Sequence, residues 1–140
     1  MTDDEALDFL GGHPARPGIL ATTRKDGRPH VAPVWFVVDD DGSIVFTTGA
    51  GTVKGRTLRR TGWAAMTVDD DQPPFSFVTV EGPVTISDDL DEVRAWAARI
   101  AGRYMGADRA EEYGDRNGVP GELLVRLTPT KLVSARDLAD

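Results

Sequence analysis

Residues 19–48 read ILATTRKDGRPHVAPVWFVVDDDGSIVFTT, and this stretch decides the fold. Two apolar runs flank the turn Lys25-Asp26-Gly27-Arg28. Asp-Gly between such runs signals a hairpin, because glycine reaches positive φ without steric cost. A second turn, Asp39-Asp40-Asp41-Gly42, leads into SIVFTT. Two hairpins in succession predict an antiparallel meander. The middle run, VAPVWFVV (31–38), is apolar on both faces. A strand with one wet face would alternate. The run is therefore expected to be central, its second face covered by the barrel interior, a partner chain or a cofactor. Pro33 has no N–H for a ladder, so the pairing breaks there, at a bulge or an edge.

Outward from this stretch, DDEALDFL (3–10) predicts a short helix. Its acids lie in the first turn, Leu7 and Leu10 share a face, and Gly11-Gly12 ends it. GAGTVKGRTLRRTG (49–62) reads as a glycine-rich loop and a helix from about Thr52 to Arg60. WAAMTVDD and SFVTVEGPVTIS read as strands. From Asp88 to about Gly106, Val93, Trp96, Ala97, Ile100, Ala101 and Tyr104 recur at helical spacing and predict a core-facing stripe. A polar helical segment, ADRAEEYGDRN, precedes one last strand, ELLVRLTPTKLVSA. No repeat or linker divides the chain, so residues 1–140 read as one domain. The order predicts an α+β fold: a small, mostly antiparallel β-barrel with helices over its ends.

Composition narrows the function. With 40% hydrophobic and 28% charged residues, the chain has ordinary material for a core. A net charge of −7 argues against general binding to nucleic acid or an anionic membrane. The absence of cysteine excludes disulfides, thiolate metal sites and a cysteine nucleophile. No secretory or membrane-spanning run is visible, so a soluble cytoplasmic protein is expected. The two histidines, His13 and His30, have no paired spacing, so no metal site is expected, and His30 reads as a rim residue. No serine lies in GxSxG. The acids at 39–41 and 69–71 fall at turns and lack the EF-hand pattern. Glu81, inside an apolar strand, is expected to face solvent or pair with an arginine.

The strongest local anomaly is GTVKGRTLRR (51–60), with Lys54, Arg56, Arg59 and Arg60 and no acid. Such a concentrated charge in an acidic protein suits a small anion better than a polymer. Gly49 and Gly51 would let backbone N–H groups approach a ligand, Thr52 could cap the helix or bond an oxyanion, and Lys54 adds a point charge. A phosphate cradle and a solvated basic helix face both fit the pattern. A dinucleotide fingerprint fits less well. Gly55 is one place late for GxGxxG, the helix is too short for a crossover, and the preceding strands are joined by hairpins. A Walker A loop is absent.

The short N-terminal helix, residues 19–48, the basic GTVKGRTLRR helix, WAAMTVDD and VTVEGPVTI, in that order, resemble the pyridoxamine 5′-phosphate oxidase-like family. The likeness spans about residues 5–137. These are FMN-binding split barrels, and the nearest likeness is to the actinobacterial branch of oxidoreductases that use the deazaflavin coenzyme F420. The resemblance implies a homodimer with cofactor sites at the interface. It places Pro33, Val34 and Trp35 against the tricyclic ring, and Thr47, Thr48, Thr52 and Lys54 on the ribityl chain and phosphate. Arg56, or Arg59 and Arg60, would meet the acidic tail of F420, and residues near Gln72, Pro74 and Phe75 would come from the other subunit. The implied reaction is hydride transfer from the deazaflavin C5 to an activated alkene or imine of a small conjugated substrate. No proton donor is named. The chain ends Ser-Ala-Arg-Asp-Leu-Ala-Asp, without the basic substrate-binding segment of the vitamin B6 oxidases. FMN in place of F420 is the first alternative. A non-catalytic flavin- or deazaflavin-binding protein is the second.

Overall fold

The computed structural model describes all 140 residues. Helix α1 (Asp3–Gly11) is followed by strands β1 (Gly18–Thr23), β2 (Pro29–Val34), β3 (Val37–Val38) and β4 (Ile44–Gly49). Then come α2 (Val53–Thr61), β5 (Trp63–Asp70), β6 (Ser76–Ser87) and α3 (Leu90–Met105). A short 3-10 turn (Ala107–Arg109), α4 (Ala110–Asn117), β7 (Glu122–Leu127) and β8 (Lys131–Ala135) complete the chain. Local chemistry sets the ends. Thr2 and Glu5 form a reciprocal capping box at α1. Asp89 accepts from the Asp91 and Glu92 amides to start α3. Gly62, at φ 65°, closes α2 in the left-handed region.

All strand pairs are antiparallel, in the order β2-β1-β5-β6-β7-β4-β3, and β8 pairs with β6. The sheet curls into a half-barrel around a core that includes Leu20, Phe36, Phe46, Met66, Val80 and Leu127. Leu10 of α1 and Leu58 of α2 enter the same core and are fully buried. Each such side chain contributes about 1.5–3 kcal/mol of transfer free energy. On the opposite face of β3, β4 and β7, α3 lays down Val93 and Ile100 against Val37, Val45 and Leu124. That helix covers a face of the sheet, whereas the sequence placed the helices over barrel ends.

Three further expectations are corrected. Residues 31–38 do not form one central strand. The chain leaves β2 at Val34, and β3 joins the far end of the same sheet. β2 is an edge strand, the position Pro33 tolerates because it has no N–H to donate. The run is apolar at both parities for a composite reason. Val34, Phe36 and Val37 serve two different cores, while Val31 stands on a bare face, 57% exposed. The meander is accordingly interrupted, with β5 as the second neighbour of β1. The final apolar stretch is two strands, divided at Thr128–Thr130, where Thr128 N–H donates to the Pro83 carbonyl (2.9 Å) and Thr130 N–H to the Glu81 carbonyl (3.0 Å). No helix is long and apolar enough to cross a membrane.

Candidate functional site

The glycine loop after β4 is folded tightly onto α2. Thr52 is the N-cap: its hydroxyl donates to the Gly49 carbonyl (2.7 Å) and accepts from the Gly55 amide (3.1 Å). The buried Thr48 hydroxyl lies 3.3 Å from that of Thr52. These hydroxyls therefore shape the loop. The amides of Val53 and Lys54 in the first turn have no intrahelical carbonyl to reach, which leaves them free to donate to an anion. No acid occupies that turn. A Cβ on Gly55 would collide with the Gly49 carbonyl oxygen, so glycine is required for the helix to sit this close. Lys54 is half-buried beside Glu122, which faces Gly49 across the β4–β7 ladder. Burial raises the Glu122 pKa, and the Lys54 charge opposes that rise.

One turn on, a cavity of about 660 Å³ opens between α2 and the β1–β2 hairpin. Its lining includes Arg24, Lys25, Asp26, Arg56 and Arg60. Arg28 grips Asp26 through Nε (2.9 Å) and Nη2 (2.7 Å), which neutralises the cavity's one acid. None of the other four cations has a carboxylate partner. Arg56 Nη1 donates to the Gly51 carbonyl (2.6 Å) and Arg60 Nη2 to the Thr23 carbonyl, so both guanidiniums are held in place without losing charge. A cavity of about 710 Å³ between α1 and the Asp39–Gly42 turn carries five aspartates and would repel an anion.

The aromatic end lies elsewhere on the chain. Trp35, 38% exposed, stacks on Tyr104 of α3 at 5.0 Å and 4° between planes. The Tyr104 hydroxyl donates to the Arg16 carbonyl (2.8 Å) and accepts from the Phe36 amide (3.3 Å). Burial raises its pKa. Arg103 donates to the carbonyls of Phe36 (2.7 Å), Leu10 (2.8 Å) and Gly12 (3.0 Å), tying α1, α3 and the β2–β3 link together.

The structure distributes the predicted residues over three places. Thr48, Thr52, Lys54 and Arg56 gather at the start of α2, with Thr47 beside Thr48 on the outward side of β4. Arg59 is exposed in the last turn of α2, outside the cationic cavity, which Arg60 does line. Pro33 is exposed on the edge strand, and Val34 points into the core. Gln72 lines a separate recess with Arg16 and Asp69–71, and Phe75 is exposed on the neighbouring turn, held by the Leu138 amide at its carbonyl (2.8 Å). His30 is half-buried, with its Nδ1 enclosed and unpartnered opposite Thr22, whose hydroxyl is likewise unpartnered. Sequence reasoning missed Arg24, Lys25, Glu122 and Tyr104 as parts of these sites. The basic flank of the Asp-Gly turn was the available signal for the first two.

A curled antiparallel half-barrel with α1 and α2 packed into its core and α3 on one face defines the class, a split barrel. A family model described as pyridoxamine 5′-phosphate oxidase matches residues 2–134, and the chain belongs to that family. It is 35% identical over 103 residues to an F420H(2)-dependent biliverdin reductase of Mycobacterium tuberculosis, covering 72% of this chain and 71% of the relative. Among solved structures, a conserved hypothetical protein of M. tuberculosis, Rv2991, superimposes with a TM-score of 0.84 at 27% identity. That match covers 98% of this chain and 86% of the other. A protein described as an F420 reductase superimposes with a TM-score of 0.70 at 28% identity, covering 90% and 94%.

Proposed function

We infer that this chain is a reductase that uses coenzyme F420 and acts, as a homodimer, on an activated alkene or imine of a small conjugated substrate. The observation that carries the reading is the α2 start and the cationic cavity that continues from it. Lys54 and the first-turn amides would hold a phosphate. Arg56 and Arg60, with Arg24 and Lys25, would meet carboxylates beyond it. The relatives named for F420 supply the cofactor class. A ligand with only a ribityl phosphate, such as FMN, would leave the four cations of the cavity unmatched.

The bound coenzyme supplies a hydride, and the protein supplies orientation and an apolar face. Trp35 is fixed as a flat wall by Tyr104. Tyr104 keeps its own proton, because its hydroxyl is committed to the Arg16 carbonyl and burial disfavours the phenolate. Tyr104 therefore positions Trp35 and is not the proton donor. The bare outer face of β2, β1, β5 and β8, with Val31 57%, Trp63 47% and Val133 47% exposed, supports a second copy of the chain as its cover. That copy would bring Gln72, Pro74 and Phe75 toward the site.

The test is a fluorescence titration with F420 and, separately, FMN at matched salt, followed by turnover with F420H2. Tight F420 and weak FMN binding, with turnover, is expected. The reverse order of affinity would make this a flavin barrel. F420 binding without turnover on any conjugated acceptor would make it a carrier.

A further inference from the structure

Helix α4 has a placement that its own composition does not explain. It is short and polar, so it would not persist alone in water. Two glycines seat it on α3. A Cβ on Gly114 would come within 2.8 Å of the Ala98 Cβ, and one on Gly118 within 2.6 Å of the Arg94 Cα. Arg94 Nη2 also donates to the Gly118 carbonyl (3.2 Å). The helix is thus held in close contact with α3, and one of its faces is presented in a fixed position.

That face carries Tyr113 and Arg116, with Arg109 of the preceding 3-10 turn four residues before Tyr113, while Glu111 and Asp115 lie on the opposite side. Tyr113 tilts against Trp35 at 6.2 Å and 58°. Arg109 and Arg116 sit over the Tyr113 ring at 5.0 and 5.5 Å. Arg109 is engaged by Glu112 (3.3 Å), and Arg116 has no carboxylate partner. Trp35 is immobilised on its other side by the Tyr104 stack, yet remains 38% exposed. An exposed aromatic fixed on one side, with an unpaired guanidinium one ring away across Tyr113, matches one kind of small molecule, a flat conjugated system with an anionic substituent.

We propose that α4 is part of the substrate site, with Trp35 stacking on a planar conjugated substrate, Tyr113 closing its edge and Arg116 binding its carboxylate. This deepens the reductase reading and rests on it only for placing Trp35 at the reacting end. Biliverdin, a flat tetrapyrrole diacid, is the probe, followed by its absorbance on titration into the protein without coenzyme. Its dimethyl ester serves as the uncharged control. Wild type, Arg116→Gln and Tyr113→Leu are compared, and F420 is titrated into each in parallel. Arg116→Gln is expected to weaken biliverdin about tenfold, the scale of one charge-assisted hydrogen bond, and to leave the ester unaffected. Tyr113→Leu should weaken both. F420 affinity should stay within about twofold in both variants, because neither residue contacts the α2 site. Biliverdin that does not bind, or that binds all three proteins equally, overturns the proposal whatever F420 does. Loss of F420 binding in wild type with the biliverdin pattern intact would instead overturn the cofactor reading and leave the subsite standing.

Discussion

The two halves of the curled sheet share β6 and differ in what lies on their outer face. Over β3, β4 and β7, α3 places Val93 and Ile100 on Val45 and Leu124, and this second core is closed within one chain. Over β2, β1, β5 and β8 there is no helix, and Val31, Trp63 and Val133 stand exposed around Ala21 and Ala65. One face is finished by the chain itself. The other leaves Val31, Trp63 and Val133 in solvent among the polar side chains of Thr67, Thr79 and Glu81. Trp35 lies just past the edge strand β2 of the open half and stacks on Tyr104 of α3, the helix of the covered half, so the link between β2 and β3 joins the two.

The largest expected effect tests the bare face. Wild-type protein should sediment at about 30 kDa, twice the chain mass of 15.1 kDa, as a closed two-fold dimer. Val31→Asp should return it to the single-chain mass and abolish F420 binding. A wild-type monomer that binds coenzyme would end the interface reading. On the covered face, Leu124→Ala should instead lower stability by about 2–4 kcal/mol in urea unfolding while the dimer persists. Dissociation by Leu124→Ala would show that the two faces are not independent. Lys54→Ala, on α2 and outside both faces, should weaken F420 by about 1.5–3 kcal/mol with no change in sedimentation. Unchanged affinity at moderate salt would remove Lys54 from the site.

The smallest effect is a pH dependence confined to the covered half. Arg126 Nη1 donates to Asp39 (2.8 Å) and the Asp40 amide also binds it, and together they hold its pKa below the ordinary 3.8. A depressed carboxyl stabilises the fold fully above its unfolded value. That contribution is lost as pH falls through the lower, folded one. Asp39→Asn should therefore flatten the acid limb of the stability curve by under about 1 kcal/mol, since the pair is partly solvated. An acid limb identical to wild type would mean the pair contributes nothing measurable.

Much of this architecture was legible in residues 19–48 and in the α3 stripe. Asp26-Gly27 marks a real hairpin, and Val93, Ala97, Ile100 and Ala101 are buried as their spacing predicts. Residues 31–38 misled because periodicity reports that a side chain is covered and not by which core. Phe36 and Val37, adjacent in sequence, enter different ones. The division of the last strand at Pro129 was signalled by proline but masked by the continuous apolar run around it. At the site, the basic helix and its capping threonine were readable as local chemistry. The contribution of Arg24 and Lys25 was not, since it exists only once the hairpin tip lies beside α2. The Trp35–Tyr104 stack likewise joins residues that are far apart in sequence.

The contact between Gly55 and the Gly49 carbonyl has a use outside this molecule. It sets a six-residue glycine interval that differs from the spacing of dinucleotide loops, and it follows from steric exclusion, not from ligand chemistry. Anyone building a library to redirect this barrel toward another phosphorylated ligand can randomise positions 53, 54 and 56 freely. Position 55 has to stay fixed, because any side chain there lifts the helix off its loop before ligand preference can be selected at all.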